Sequence, residues 1–434
     1  MMARLSKGAR TFGLSRSVAE SMLFRLSGMV LIFLLQLLLA RLMGPRRFGD
    51  YTIVITWMNI LLVFSLFGFD QAVARFLPEA TAVKDYSKAR GFMKFSGIWT
   101  MLMAVLCGTV MLLYLIDHSK RGREGFSESM FWVLLALPFL VYVYRSASIL
   151  RAFHRIKASM TPITIVFPIM MAAACAYFYW KHDYLTVDAA VFRQFACTVI
   201  IALLISRSTG KRLREKMGGA EASYDAFVWM RTASTFLIGS LIQILLTQTD
   251  ILLTGWLLDH TRAGYYAIAV RITSLVAFGL TVTDYVFLPK ITEVIKQGKK
   301  KQAQQLVNDA SRQILFMAVP VVLLLVFSGS WLLGGFGDKF ETAAYVPMLI
   351  LLTGQVINAA TGLSAGILNA AGHRITYFLI SGGSALVQMA LTYFLLPKFG
   401  LVGAAVSSTS IRVILNVLCY RATLHHLGIR SSIW

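Results

Sequence analysis

Charged residues are scarce in this 434-residue chain: they make up 14% of it, and only 20 are acidic. With 57% hydrophobic residues and a mean hydropathy of +0.68, too little polar surface remains to coat a soluble domain of this length. The chain therefore reads as a multispanning membrane protein. Cysteine is scarce too. Cys107, Cys175, Cys197 and Cys419 all fall inside apolar runs, which argues against a disulfide framework. The seven histidines lie in loops or tails without zinc spacing, and no glycine-rich phosphate loop ending in Gly-Lys-Ser/Thr occurs. No metal, no ATP hydrolysis and no cofactor is expected. A cleavable signal is not expected either, because the basic start Arg4, Lys7, Arg10 and Arg16 leads into an apolar run too long for one.

What the chain does have is apolar length. A spanning helix needs about twenty largely apolar residues. Twelve candidates run at 20–42, 50–76, 91–116, 129–151, 161–180, 188–205, 227–257, 264–288, 312–334, 343–370, 375–396 and 401–420. With both termini taken as cytosolic and residues at the very ends of spans counted with the adjoining loops, inner loops and tails hold 25 of the 42 Lys and Arg, outer loops hold 10, and 7 lie within spans. That asymmetry satisfies the positive-inside rule. It also accounts for the formal charge of +22 without nucleic acid, since no aromatic-studded soluble domain accompanies the basic residues.

The chain repeats itself. Phe-Gly-Asp-Tyr at 48–51 leads through an apolar span to Phe-Leu-Pro-Glu at 76–79, and Ala-Gly-Tyr-Tyr at 263–266 leads likewise to Phe-Leu-Pro-Lys at 287–290. Ser-Ala-Ser-Ile-Leu-Arg-Ala-Phe-His-Arg at 146–155 is echoed by Ser-Ala-Gly-Ile-Leu-Asn-Ala-Ala-Gly-His-Arg at 364–374, and Leu-Gln-Leu-Leu at 35–38 by Ile-Gln-Ile-Leu at 242–245. Six helices per half, an even number, make the halves parallel repeats. The expected domains are 1–210 and 211–434, joined by a cytosolic linker at about 206–226.

These motifs, with Leu-Leu-Ala-Arg-Leu-Met-Gly-Pro-Arg-Arg before Phe48, Thr-Asp-Ile-Leu-Leu-Thr-Gly at 249–255 and Phe-Gly-Leu-Val-Gly-Ala-Ala at 399–405, resemble the bacterial polysaccharide transporters. These are the O-antigen type flippases of the multidrug, oligosaccharidyl-lipid and polysaccharide exporter superfamily. The resemblance covers about 20–425. It implies an all-α integral membrane fold of twelve transmembrane helices in two parallel six-helix repeats, arranged as a V of two lobes. It also implies a bacterial cytoplasmic-membrane flippase that moves undecaprenyl-diphosphate-linked oligosaccharide by alternating access. Its partners would be the lipid-diphosphate-linked glycan, membrane lipids and a complex with polysaccharide polymerase and glycosyltransferases.

Nine charges fall inside the spans more than three residues from an end: Arg25, Asp70, Arg145, Arg193, Arg231, Asp250, Arg271, Asp284 and Arg412. Each is costly in hydrocarbon, so each is a candidate functional residue. Arginine suits a diphosphate because its planar fork donates two hydrogen bonds and stays protonated when buried. Arg271 and Arg412 lie about 12 Å from the nearest helix end and lead the substrate-binding set, followed by Arg25, Arg231 and Arg145. These last three are shallow enough to snorkel instead, and Arg193 lies close to the outer face. Asp250, with Asp70 and Asp284, is expected to couple transport to protons or sodium; an ion pair between Asp250 and Arg271 is the structural alternative, and Asp70 could equally cap its helix or pair with Arg75. Gln36 and Gln243 could touch glycan or join helices. A drug or metabolite antiporter would need an acidic, aromatic site, and a membrane polymerase would need catalytic groups that the short outer loops do not offer.

Overall fold

This computed structural model describes residues 16–120, 127–217, 221–361 and 363–430. Among the described residues all regular structure is helical. The first half contains α1 (Arg16–Leu66), α2 (Phe69–Ala82), α3 (Tyr86–Lys120), α4 (Ser127–Ala152), α5 (Ile156–Thr161), a π-helical turn (Pro162–Val166), α6 (Phe167–His182) and α7 (Val187–Met217). The second contains α8 (Ala226–Leu257), α9 (His260–Thr273), α10 (Ala277–Lys296), α11 (Lys300–Gly334), α12 (Asp338–Ala360), α13 (Ser364–Ala370) and α14 (Arg374–Leu427).

Among the described residues nine helical stretches are long and apolar enough to cross a bilayer. Two of them are pairs of spans joined end to end. In α1 the chain turns at Gly44 (φ 72°), and Pro45, which needs no amide donor, starts the next span. In α14 it turns at Gly400 (φ 58°). The α9–α10 pair, interrupted at 274–276, covers the expected span at 264–288. All twelve expected spans are present in order, including the short one at 188–205, which lies inside α7.

Packing divides the chain into two compact units, residues 20–244 and residues 245–434. The division falls inside α8, later than the sequence boundary at 210/211. Two facts explain the shift: residues 206–217 prolong α7, and the start of α8 is bound into the first unit by Trp229 and Ala233. There Trp229 is fully buried edge-on to Phe92 at 5.4 Å, in a cluster with Phe69, Val73, Leu77 and Ile149. A second cluster joins Val143, Ala147 and Leu150 of α4 to Ile201, Ala202 and Ile205 of α7.

Within the first unit α4 is the post against which α2, α3 and α7 pack; within the second, α12 receives α9, α11 and α14 in the same way. The repeat in sequence is thus a repeat in packing. Outward faces are apolar, as lipid contact requires, for example Leu102, Val105 and Leu113 of α3 and Phe316, Leu324 and Phe327 of α11. The exposed Trp180, Trp256 and Trp331 each sit near the C-terminal end of an odd-numbered span, where a membrane-interface aromatic belt belongs.

Candidate functional site

The most elaborate polar cluster surrounds Asp250, within the second unit. Thr-Asp at 249–250 interrupts the apolar run of α8, and burial leaves Asp250 only 4% exposed. Such a carboxylate must be met by donors. Four side chains supply them. The Tyr266 hydroxyl on α9 donates at 3.1 Å to Oδ2, which also receives the Ser408 hydroxyl from the second arm of α14. Gln388 Nε2 (2.9 Å) and Thr392 Oγ1 (3.2 Å), on the first arm of α14, donate to Oδ1. Behind them Thr392 and Ser407 pair at 2.8 Å, and Ser407 donates to the Gln388 carbonyl.

The hairpin in α14 sets this geometry. Gly400 reverses the chain, and Gly403 lets the arms touch: a Cβ there would lie 2.4 Å from the Leu395 carbonyl oxygen. Residues 388 and 392 are thereby brought opposite 407 and 408, one helical turn per pair. One turn further on, Arg412 is half-buried and within Coulombic reach of both Asp250 and the Tyr266 hydroxyl. Asp250 and Arg412, expected from sequence in separate roles, are therefore neighbours.

Arg271 is not one of the Asp250 donors, so the ion pair posed as its structural alternative is not formed. The reason is angular: five residues along α9 rotate Arg271 about 140° from Tyr266, which faces the carboxylate. Arg271 is exposed, at the last turn before the break at 274–276. Arg231 is exposed on the first part of α8. The side chain of Arg25 lies outside the described residues. Arg145 is spent on packing: its guanidinium donates to the Met93 carbonyl and to Ser96 Oγ (3.2 and 3.3 Å) and lies over Gly97, which a side chain would close off. Arg193 likewise donates to Ala189 and Ala174 carbonyls at 2.6 and 3.2 Å and stacks 3.8 Å from the Phe178 ring.

Asp70 opens α2, where the helix N-terminus favours a carboxylate; Arg75 pairs instead with Glu79 at 3.4 Å. Asp284 is half-buried and lines a cavity of about 690 Å³ with Thr281, Leu288, Thr292, Glu293 and Lys296, all on one face of α10. It is separate from the Asp250 cluster. If Arg145 is a fastener between α3 and α4, Arg145→Met should lower the unfolding temperature in detergent by several degrees, while the substrate affinity of the surviving protein stays as before. A loss of affinity at normal stability would return it to the binding set.

Sequence reasoning missed Tyr266, Gln388, Thr392, Ser407 and Ser408. Their signal was available as polar pairs, Gln-x-x-x-Thr and Ser-Ser, on either side of Gly400. The repeat sharpens the point. Aligning Phe-Gly-Asp-Tyr at 48–51 with Ala-Gly-Tyr-Tyr at 263–266 puts Tyr51 on Tyr266 and Leu35 on Asp250. In the first unit the Tyr51 hydroxyl donates to neutral Gln194 at 2.8 Å, and Leu35 is buried where the other half has its acid. The carboxylate belongs to one half of the repeat alone.

Taken together, apolar helices of spanning length in two like-packed units, with a buried charged cluster inside one of them, are the architecture of a multi-pass membrane protein. Residues 14–295 match the family described as "Polysaccharide biosynthesis protein". The chain belongs to that family. A "Putative O-antigen transporter" of Shigella flexneri is 21% identical over 394 residues, 88% of this chain and 90% of its own. Among solved structures, an inward-facing multidrug resistance MATE family transporter of the MOP superfamily superposes with a TM-score of 0.74 at 11% identity, covering 94% of this chain and 98% of the other. The lipid II flippase MurJ in an inward closed conformation gives 0.69 at 13% identity, covering 92% and 87%.

Proposed function

We propose that the protein carries undecaprenyl-diphosphate-linked oligosaccharide from the inner to the outer leaflet of a bacterial cytoplasmic membrane by alternating access, for surface polysaccharide synthesis. Both termini would be cytosolic. Lipid-linked glycan is its cargo, and polysaccharide polymerase and glycosyltransferases are its working partners. The single observation that supports this most is the company kept by Arg412: a guanidinium deep in a span, beside a carboxylate already satisfied by neutral donors. An arginine so placed keeps its fork available to phosphate oxygens. Arg271, exposed on α9 where the helix breaks, is the second candidate contact. Asp250 is assigned to ion coupling.

The test is flipping in proteoliposomes of a fluorescent undecaprenyl-diphosphate oligosaccharide, with a lipophilic cationic dye as the competing cargo. Arg412→Ala and Arg271→Ala should each slow lipid flipping about tenfold, the kinetic equivalent of one lost charge-assisted contact of about 1.4 kcal/mol. Dye transport by the unaltered protein, with no lipid flipping, would replace this reading with a cation antiporter.

A further inference from the structure

The second arm of α14 carries more than the Asp250 contact. Ser408, Arg412, Asn416, Cys419, Thr423 and His426 fall within about 80° of arc on one helix face at 100° per residue. The opposite face holds the exposed apolar Val406, Ile414, Val417, Leu418 and Leu424. The polar face is the buried one, and it is met by polar groups along its length. Asn416 Nδ2 donates to Asn358 Oδ1 of α12 at 3.1 Å, and the fully buried Thr423 hydroxyl donates to the Ser364 carbonyl of α13 at 3.2 Å. At its end His426 stacks on His373, ring centres 4.4 Å apart and planes at 20°. From Ser408 to His426 the helix rises about 27 Å.

Packing alone does not ask for this. Neutral polar residues can fasten helices in lipid, but a fastener needs one or two contacts, not a seam with titratable groups at both ends. Resting on the assignment of Asp250 to ion coupling, we propose that this seam is the proton route between Asp250 and the aqueous phase at the His373–His426 end. In the loading step the carboxylate takes up one proton and becomes a neutral acid. The imidazolium at the mouth gives up that proton and is recharged from solvent, so charge and atoms balance across the seam. On this route water entering between the Asn358 and Asn416 amides, which bond each other at 3.1 Å, would relay the proton; the amides do not carry it themselves.

The mouth selects for protons over metal cations. His425 lies 5.1 Å from His426, Arg374 follows His373 in the chain, and Lys300 reaches the end of α14 near Gly428. Those positive charges repel a metal ion, whereas imidazole nitrogens can accept and donate protons. At the other end Asp250 faces Tyr266 from α9 and Arg412 from α14, with Gln388, Thr392 and Ser408 as neutral neighbours.

The experiment is infrared difference spectroscopy of the full-length protein in liposomes after a rapid pH jump, following the carboxylic-acid band that Asp250→Asn removes. The double variant His373→Phe with His426→Phe keeps the stacked rings and removes the proton carriers. Asn416→Leu blocks the middle of the seam. Both should slow the appearance of the band about tenfold while leaving its midpoint pH unmoved, because a route alters the barrier and not the end states. If both variants match the unaltered rate, or move the midpoint alone, the route is wrong although Asp250 still titrates. If no Asp250-dependent band exists, the coupling assignment fails and the route fails with it.

Discussion

Asp250→Asn should leave a folded protein that no longer accumulates cargo against a gradient, with uphill transport reduced by about a hundredfold or more, an effect in the range seen when a single proton-handling group is removed. The cluster explains both halves of that expectation. An asparagine keeps one acceptor oxygen for the Tyr266 and Ser408 hydroxyls, and its amide can be accommodated if the Gln388 side-chain amide flips and the Thr392 hydroxyl turns. Folding therefore survives while the carboxylate assigned to coupling is gone. Asp250→Leu separates structure from coupling. Ser407 and Thr392 already pair at 2.8 Å and Gln388 keeps the Leu246 carbonyl at 3.3 Å, but the buried Tyr266 and Ser408 hydroxyls would lose the acceptor they share, about 1–3 kcal/mol each. Thermal unfolding in detergent should show the leucine variant clearly destabilised and the asparagine variant close to the unaltered protein. Transport by Asp250→Asn with an unchanged response to an imposed proton or sodium gradient would remove Asp250 from the coupling mechanism.

The second large effect is on stability. Gly403→Val places a branched side chain where even a Cβ would lie 2.4 Å from the Leu395 carbonyl oxygen and 2.7 Å from its carbon. The clash is with backbone, so no rotamer relieves it and the α14 hairpin must open. Overpacking of this kind costs about 1–3 kcal/mol in an ordinary core, and a backbone clash belongs at or beyond the upper end. Opening the hairpin also draws Gln388 and Thr392 away from Ser407 and Ser408, so the surviving fraction should transport poorly. Gly383→Val, on the same helix arm with no neighbouring atom within 4 Å of its Cβ position, is the matched control and should fold normally. Equal yields of folded protein from both variants would show that the close approach at Gly403 does not hold the cluster together.

Much of the architecture was legible in the chain because lipid imposes simple rules. Apolar length marks a span, basic residues mark the loops between spans, and paired motifs mark the repeat. The domain boundary was less legible. A glycine-, serine- and lysine-rich stretch at 206–226 looks like a linker, yet α7 runs on through its first half, and Trp229 commits the start of α8 to the first unit.

The sequence by itself determined the twelve spans, the parallel repeat and the presence of charge inside the membrane, since each depends on composition and periodicity along a single segment. Only the tertiary structure decided which charges meet. Asp250 is joined by residues 16 to 158 positions away, and Arg145 and Arg193 turn out to fasten neighbouring helices. The reason is geometric: a helix face repeats every 3.6 residues, so sequence says how deep a side chain lies, whereas its partner is set by the rotation of each helix in the packed unit and by the few glycines that let helices come close.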